Sequence, residues 1–345
     1  AELDAIRARI RADLGASDLA YIRRLIRVQR MAEIGGRLFL FMGFNPVAFA
    51  LGVALLSLSK ILDNMEIGHN IMHGQFDWTN DPDMRGRKYE WDNVCDGDQW
   101  RHSHNYMHHH FTNIVGKDHD VGYGILRMAD QQEWEPKYLA QPVYALMLAL
   151  FFEWGVGVHD IDLANVMKPE WKWAEKKPLV KNFLKKMRKQ LVKDYVAFPA
   201  LAGPFFLPVL AGNFVANIIR NIWAFMIIFC GHFTEGAEMF TEEECANETK
   251  AEWYLRQLMG SSNLEGGKWF HIMSGNLSHQ IEHHMFPDIP ANRYAEMAVE
   301  VQALCEKYGL PYNTGSLSKQ FGTVVQRIFR LSLPNGGNGN VAAVA

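Results

Sequence analysis

Nine of the fourteen histidines in this 345-residue chain fall into four places. They are His69 and His73, then His104, His108 and His109, then His232 alone, then His279, His283 and His284. Imidazole is the commonest neutral nitrogen ligand for first-row metals. On a helix, residues i and i+4 project from one face, so His69 and His73 can bind one ion side by side. In the His-x-x-x-His-His clusters the third ring lies about 100° further round, so one helix can point toward two neighbouring ions. Nine imidazoles exceed the four ligands of a structural zinc and suit two irons with open positions. Neutral rings leave the charge of two metals uncompensated. Glu66, Asp77, Asp118, Asp120 and Glu282 are therefore candidates to orient rings and offset charge. His102, His110, His119, His159 and His271 fall off the spacing and read as supporting or structural.

The elements that must position these clusters alternate with them. Segments 38–62, 139–158 and 195–232 are strongly apolar, while the clusters sit in polar, Trp-rich stretches. A mean hydropathy of −0.14 fits a few spans carrying a large water-facing cap. Asn45-Pro46 either kinks 38–62 or turns it into a hairpin. Segment 195–232 is about two spans long and reads as a hairpin that returns His232 to the face holding the other clusters. Segment 139–158 either spans or lies in the membrane plane. The expected class is thus all-α: integral membrane helical hairpins under a cytosolic helical cap that encloses a histidine-ligated di-iron centre. Residues 1–36 read as basic N-terminal surface helices, with seven arginines in the first thirty positions and no apolar signal stretch. Residues 37–333 form the main domain and 334–345 a glycine-rich disordered tail.

A net charge of −3 provides no basic field for nucleic acid. Four scattered cysteines argue against an iron–sulfur centre, a zinc ribbon or a disulfide framework. Residues 168–193 hold ten lysines and arginines against two acids. That stretch reads as an amphipathic helix beside anionic lipid, or as a docking patch for an acidic redox partner.

HNIMH, HNYMHHHFTN and HQIEHHMFPDIP resemble the three histidine boxes of the membrane fatty acid desaturases. KILDNMEIGHNIMHGQFDW, FEWGVGVHD, NIIRNIWAFMIIFCGHF, ETKAEWYLRQ and CEKYGLPYNTG extend the resemblance over about residues 25–333, toward the bacterial NADPH-dependent stearoyl-CoA Δ9 group. The resemblance implies two iron ions, dioxygen as co-substrate and oxidation of an unactivated methylene pair in a long-chain acyl-CoA. Acid–base side chains cannot remove such hydrogens. It assigns His69 and His73 to box one, His104, His108 and His109 to box two, and His279, His283 and His284 to box three, with His232 as an additional ligand. Front-end members have Gln at the first box-three position, and this chain offers both His279 and Gln280 there. The spacing of box two favours His279.

No HPGG haem motif and no Gly-x-Gly-x-x-Gly loop after a strand is present, so electrons are expected from a separate protein, and the resemblance implies a ferredoxin-linked NADPH oxidoreductase. The implied location is a bacterial inner membrane with the site on the cytoplasmic side. Segments 38–62 and 195–232 would wall an acyl tunnel, with Trp223, Phe225 and Met226 as candidate lining. An acyl-lipid hydroxylase or alkane monooxygenase of the same superfamily is the nearest rival, and a membrane zinc-binding receptor or transporter the non-enzymatic one.

Overall fold

The computed structural model describes residues 1–159, 161–163, 166–167 and 171–334. The expected tail lies, apart from Pro334, outside them. Helices dominate, and the described strands are the short parallel pair Asn263–Glu265 and Thr314–Ser316. The four cysteines form no disulfide.

The first hairpin turns at Asn45-Pro46, as one of the two expectations for 38–62 had it. Helix α1 (Glu2–Asp13) precedes α2 (Ala16–Phe41), and α3 (Pro46–Ile61) returns beside it. Asn45 Oδ1 accepts from the backbone N–H groups of Val47 and Ala48 at 3.0 and 3.2 Å. Pro46 fills the first helical position, where a missing N–H costs nothing. The first arm is longer than 38–62, because α2 runs unbroken through residue 36. The arginine-rich helix therefore dips into the hairpin rather than ending before it. Small residues draw the arms together, as in membrane helix pairs. A Cβ on Gly36 would lie 2.8 Å from the Leu56 nitrogen, and one on Gly52 2.9 Å from the Leu40 side chain. Outward, α2 and α3 expose Met31, Ile34, Leu38, Val47 and Leu51, a surface suited to lipid.

Segment 195–232 departs from its expectation. It holds one long arm, the helix Phe206–His232, and not two. The partner arm is the end of the basic helix Trp173–Val192, carried on through a π-helical Lys193–Ala197 to Phe198–Leu201. Buried polar groups join the two hairpins: Lys60 meets Asp194 at 2.7 Å, Arg37 meets it at 3.5 Å, and Asn213 Nδ2 donates to its carbonyl. Among the described residues two helical runs are long and apolar enough to cross a membrane, Pro46–Met72 and Gly203–His232. Residues 139–158 form Gln141–Leu150 and Phe152–His159, bent at 97°. That bend suits a broken or re-entrant segment better than a straight span.

Candidate metal centre

Both long apolar runs end in ligand-bearing residues. The α3 run passes through a π-helical turn, Leu62–Gly68, into His69–Met72, with His73 as its cap. Box two lies on a second π-helical turn, Arg101–His108, followed by His109–Phe111. His232 is the last residue of the long helix, and His283 and His284 sit on Gln280–Met285. π-Turns are frequent at functional sites because the wider ring re-aims side chains.

Eight imidazoles converge. His69, His73, His104 and His283 bring ligand atoms within 4.8 Å of one another, and so do His108, His232 and His284. His109 joins His283 and His284 in a third such group that bridges the first two. Nε2 of His69 and His104 are 3.3 Å apart, and Nε2 of His108 and His232 are 3.2 Å apart. Two ring nitrogens so close need a proton or a cation between them. Nε2 of His73, His109, His283 and His284 is buried and meets no hydrogen-bond partner among the described residues. Buried polar atoms are otherwise nearly always satisfied. Burial also pushes the pKa values of His109, His283 and His284 well below the usual imidazole range, which favours the neutral, ligating form. The donor set fits a pair of imidazole-bound transition metals.

The outward ring nitrogens are anchored. His108 Nδ1 lies 3.0 and 3.1 Å from the two Asp118 oxygens. Asp120 lies 3.5 Å from His104 Nδ1 and 3.0 Å from His159 Nε2. Burial opposes charge on His108, but Asp118 and Asp120 outweigh it and raise its pKa to about 9. A metal at Nε2 would displace that proton while Nδ1–H still donates to Asp118.

The other anchors are uncharged, and a search for acids passes over them. His283 Nδ1 meets the Tyr294 hydroxyl at 3.2 Å, His284 Nδ1 meets Gln257 Oε1 at 3.1 Å, and His232 Nδ1 donates to the Gly260 carbonyl at 3.1 Å. His69 Nδ1 meets Asn70 Oδ1 at 3.0 Å, and the Trp100 indole stacks on His104 with centroids 4.5 Å apart.

Four sequence-derived candidates lie elsewhere. His279 stays outside the cluster and stacks on His271 at 4.6 Å. It precedes Gln280–Met285 with φ −106° and ψ 55°, so helical spacing from His283 does not carry back to it. Gln280 occupies the place instead, its Nε2 2.9 Å from His232 Nε2 and its Oε1 without a partner. Rotating the amide would turn that oxygen toward the ring as a ligand or acceptor. Glu66 accepts from Tyr21 Oη at 2.7 Å and Asn276 Nδ2 at 2.9 Å, which ties box one to the turn before box three. Glu282 accepts from Asn263 Nδ2 at 2.8 Å and Tyr312 Oη at 2.9 Å, and burial raises its pKa to about 7. Asp77 is exposed and accepts from the Gly86 N–H at 2.7 Å, closing a turn. None of these three carboxylates touches a ligating ring.

A cavity runs from the cluster along the long helix. Its wall on that side includes Arg220, Ala224, Ile228 and His232 at four-residue spacing, with Asn221 beside Arg220. Trp223 is turned away, donating to the Met273 carbonyl at 2.7 Å, and Phe225 stacks on Phe229 in the core. Opposite stand Met65, Trp91, Trp100, Phe152 and Val156. Arg220 closes the end remote from His232: it pairs with Glu153 and donates to Asn64 Oδ1 at 2.8 Å and Asn221 Oδ1 at 2.9 Å.

A helical, membrane-type protein with clustered imidazoles placed to hold metal and a cavity beside them is the class that this fold and site define. The chain belongs to the fatty acid desaturase family, whose model matches residues 44–316. It is 45% identical over 339 residues to the NADPH-dependent stearoyl-CoA 9-desaturase of Mycobacterium tuberculosis, covering 97% of this chain and 79% of that one. It is 29% identical over 283 residues to the sn-1 linoleoyl-lipid 6-desaturase of Synechocystis sp., covering 79% and 78%. No solved structure matches the chain.

Proposed function

We propose that this protein is a membrane acyl-CoA desaturase that converts stearoyl-CoA to oleoyl-CoA. The observation that carries the reading is the convergence of eight imidazoles, four with orphaned buried Nε2 atoms, beside a narrow apolar cavity. The 45% relative supports the acyl-CoA and the Δ9 position. The ligands in this reading are His69, His73, His104, His108, His109, His232, His283 and His284, with Gln280 in place of His279.

The balanced reaction takes two hydrogens from adjacent methylenes, dioxygen, two electrons and two protons, and yields a cis double bond and two waters. Two irons, when bound, would supply the dioxygen-activating redox chemistry that side chains lack. The chain does the rest. Ala224 and Ile228 hold the alkyl chain against the His232 end of the cavity, and Trp91 and Trp100 exclude water there. Asp118 fixes His108 as the Nδ1–H tautomer, and Asp120 spans His104 and His159. Electrons come from a separate ferredoxin-linked NADPH oxidoreductase, for which the exposed lysines of Trp173–Val192 are a candidate seat. In this reading the hairpins sit in a bacterial inner membrane with the imidazoles at its cytoplasmic face.

The test is product analysis of the purified, iron-loaded protein given stearoyl-CoA and a ferredoxin-type donor. A cis C9–C10 double bond located by mass spectrometry is the expected result. A hydroxylated chain without unsaturation would make the protein a hydroxylase.

A further inference from the structure

A charged cavity of about 510 Å³ opens between the two hairpins. Its walls are α2, the later turns of α3, the end of the helix Trp173–Val192 and the loop that carries Asp81, Asp83 and Tyr89. It shares no lining residue with the metal cavity.

Its level in the membrane follows from the helices. From Pro46 to Ser59 α3 carries no charge, and Lys60, its first charged residue, lines the cavity. On another face of α2, Arg24 and Arg27 line a groove with the apolar Val28, Met31, Leu55 and Leu58. Cations next to hydrocarbon contacts mark the boundary between head groups and acyl chains.

Six cations line the cavity, and most are answered. Arg23 pairs with Asp81 at 3.0 Å, Arg37 with Glu33 at 2.9 Å, Lys60 with Asp194 at 2.7 Å, and Lys193 with Asp92. Asp63 accepts from the Asp92 N–H at 3.0 Å and from Asn64 Nδ2 at 3.1 Å. Arg30 on α2 and Lys189 on the basic helix are different. Both are exposed, and among the described residues neither makes an ion pair or a side-chain hydrogen bond. Arg37 is buried, and its NH1 has no partner among the described residues, although buried donors are nearly always matched. Of the lining acids, Asp83 alone has no side-chain partner among the described residues, and it is exposed on the loop.

Beyond the cavity both walls turn apolar. The first arm exposes Ile34 and Leu38, and the facing arm exposes Leu191, Val192 and Val196. Unanswered cations beside apolar helix surface suit a ligand that is anionic at one end and hydrocarbon at the other. We propose that this cavity binds the phosphodiester head group of an anionic phospholipid, and that the bound lipid ties the α2–α3 hairpin to the arm ending at Leu201. Basic pockets between membrane helices take such head groups. The site needs no turnover and stands apart from the reaction proposed above.

The test uses the full-length protein in detergent micelles, with dioleoyl phosphatidylglycerol, dioleoyl phosphatidylcholine, coenzyme A and inorganic phosphate as probes. Native mass spectrometry should show phosphatidylglycerol retained on the parent. The melting temperature should rise with that lipid and not with phosphatidylcholine. Arg30→Gln with Lys189→Gln should weaken phosphatidylglycerol binding about thirtyfold, a factor of about five for each cation beside an anionic lipid. Its melting temperature without lipid should match the parent's. Lys181→Gln with Lys185→Gln removes equal charge outside the cavity and should bind as the parent does.

Equal retention of phosphatidylcholine overturns the proposal. So does parent-like binding by Arg30→Gln with Lys189→Gln, or an equal loss in Lys181→Gln with Lys185→Gln, which would reduce the effect to general surface charge. Displacement of the lipid by coenzyme A or by inorganic phosphate also overturns it, because the cavity would then be a seat for soluble phosphate.

Discussion

Replacing Asp118 with Asn should weaken metal binding without removing a ligand. Each Asp118 oxygen serves two donors: Oδ1 accepts from His108 Nδ1 and the Asp120 N–H, and Oδ2 from His108 Nδ1 and the Asn113 N–H. An amide has one oxygen, so in either orientation its NH2 faces a backbone N–H. Leaving that buried donor unsatisfied costs about 1–3 kcal/mol. The imidazole also loses the carboxylate that fixes its tautomer, a change that typically lowers metal affinity about 10–100-fold, or roughly 1.4–2.7 kcal/mol. Apo-protein titrated with Co(II) against a chromophoric chelator reads this directly. Asp77→Asn is the control, because Asp77 closes an exposed turn and touches no ring. If Asp118→Asn binds within twofold of the parent, Asp118 does not support His108 in the way described.

Three further outcomes follow from the same geometry. His279→Ala should retain metal content and product, whereas Gln280→Ala should lower both, measured by elemental analysis and chromatography of the acyl products. Glu153→Gln leaves the buried Arg220 guanidinium without its carboxylate, and should lower stability by about 3 kcal/mol or more. A thermal melt in detergent would show it, and Glu153→Gln with Arg220→Met should recover much of the loss. Ala224→Phe shortens the cavity below the metals and should shift preference from stearoyl- toward palmitoyl-CoA in a mixed-substrate assay.

Much of the site was legible because the His-x-x-x-His spacing recurs three times, twice with a further histidine, in polar stretches between apolar segments. Seven of the eight histidines chosen by spacing meet in the fold, and His232 joins them. The eighth, His279, fails for a local reason: the chain before box three turns through left-handed Asn276 and a 3₁₀ segment, Leu277–His279, so the regular register starts only at Gln280. The carboxylates split likewise. Asp118 and Asp120 reach the rings, while Glu66 and Glu282 spend their oxygens on Tyr21, Asn276, Asn263 and Tyr312, partners distant in sequence. Hydropathy located the apolar segments but not their pairing. Gly36, Gly52 and the buried Lys60–Asp194 pair decide which arms meet, through contacts between residues far apart in the chain. The cavity wall was hidden for another reason. Trp223 and Phe225 are the conspicuous residues on their helix, yet it is small Ala224 that makes room.

The proposed chemistry requires above all two metals held by nitrogen and oxygen donors alone. Elemental analysis joined to X-ray absorption at the iron edge, on protein purified from iron-replete cells, measures that claim. Two irons per chain with imidazole-rich shells, and loss of iron in His283→Ala but not in His279→Ala, is the predicted result. A single metal per chain, a sulfur ligand, or iron retained in full by His283→Ala would contradict it.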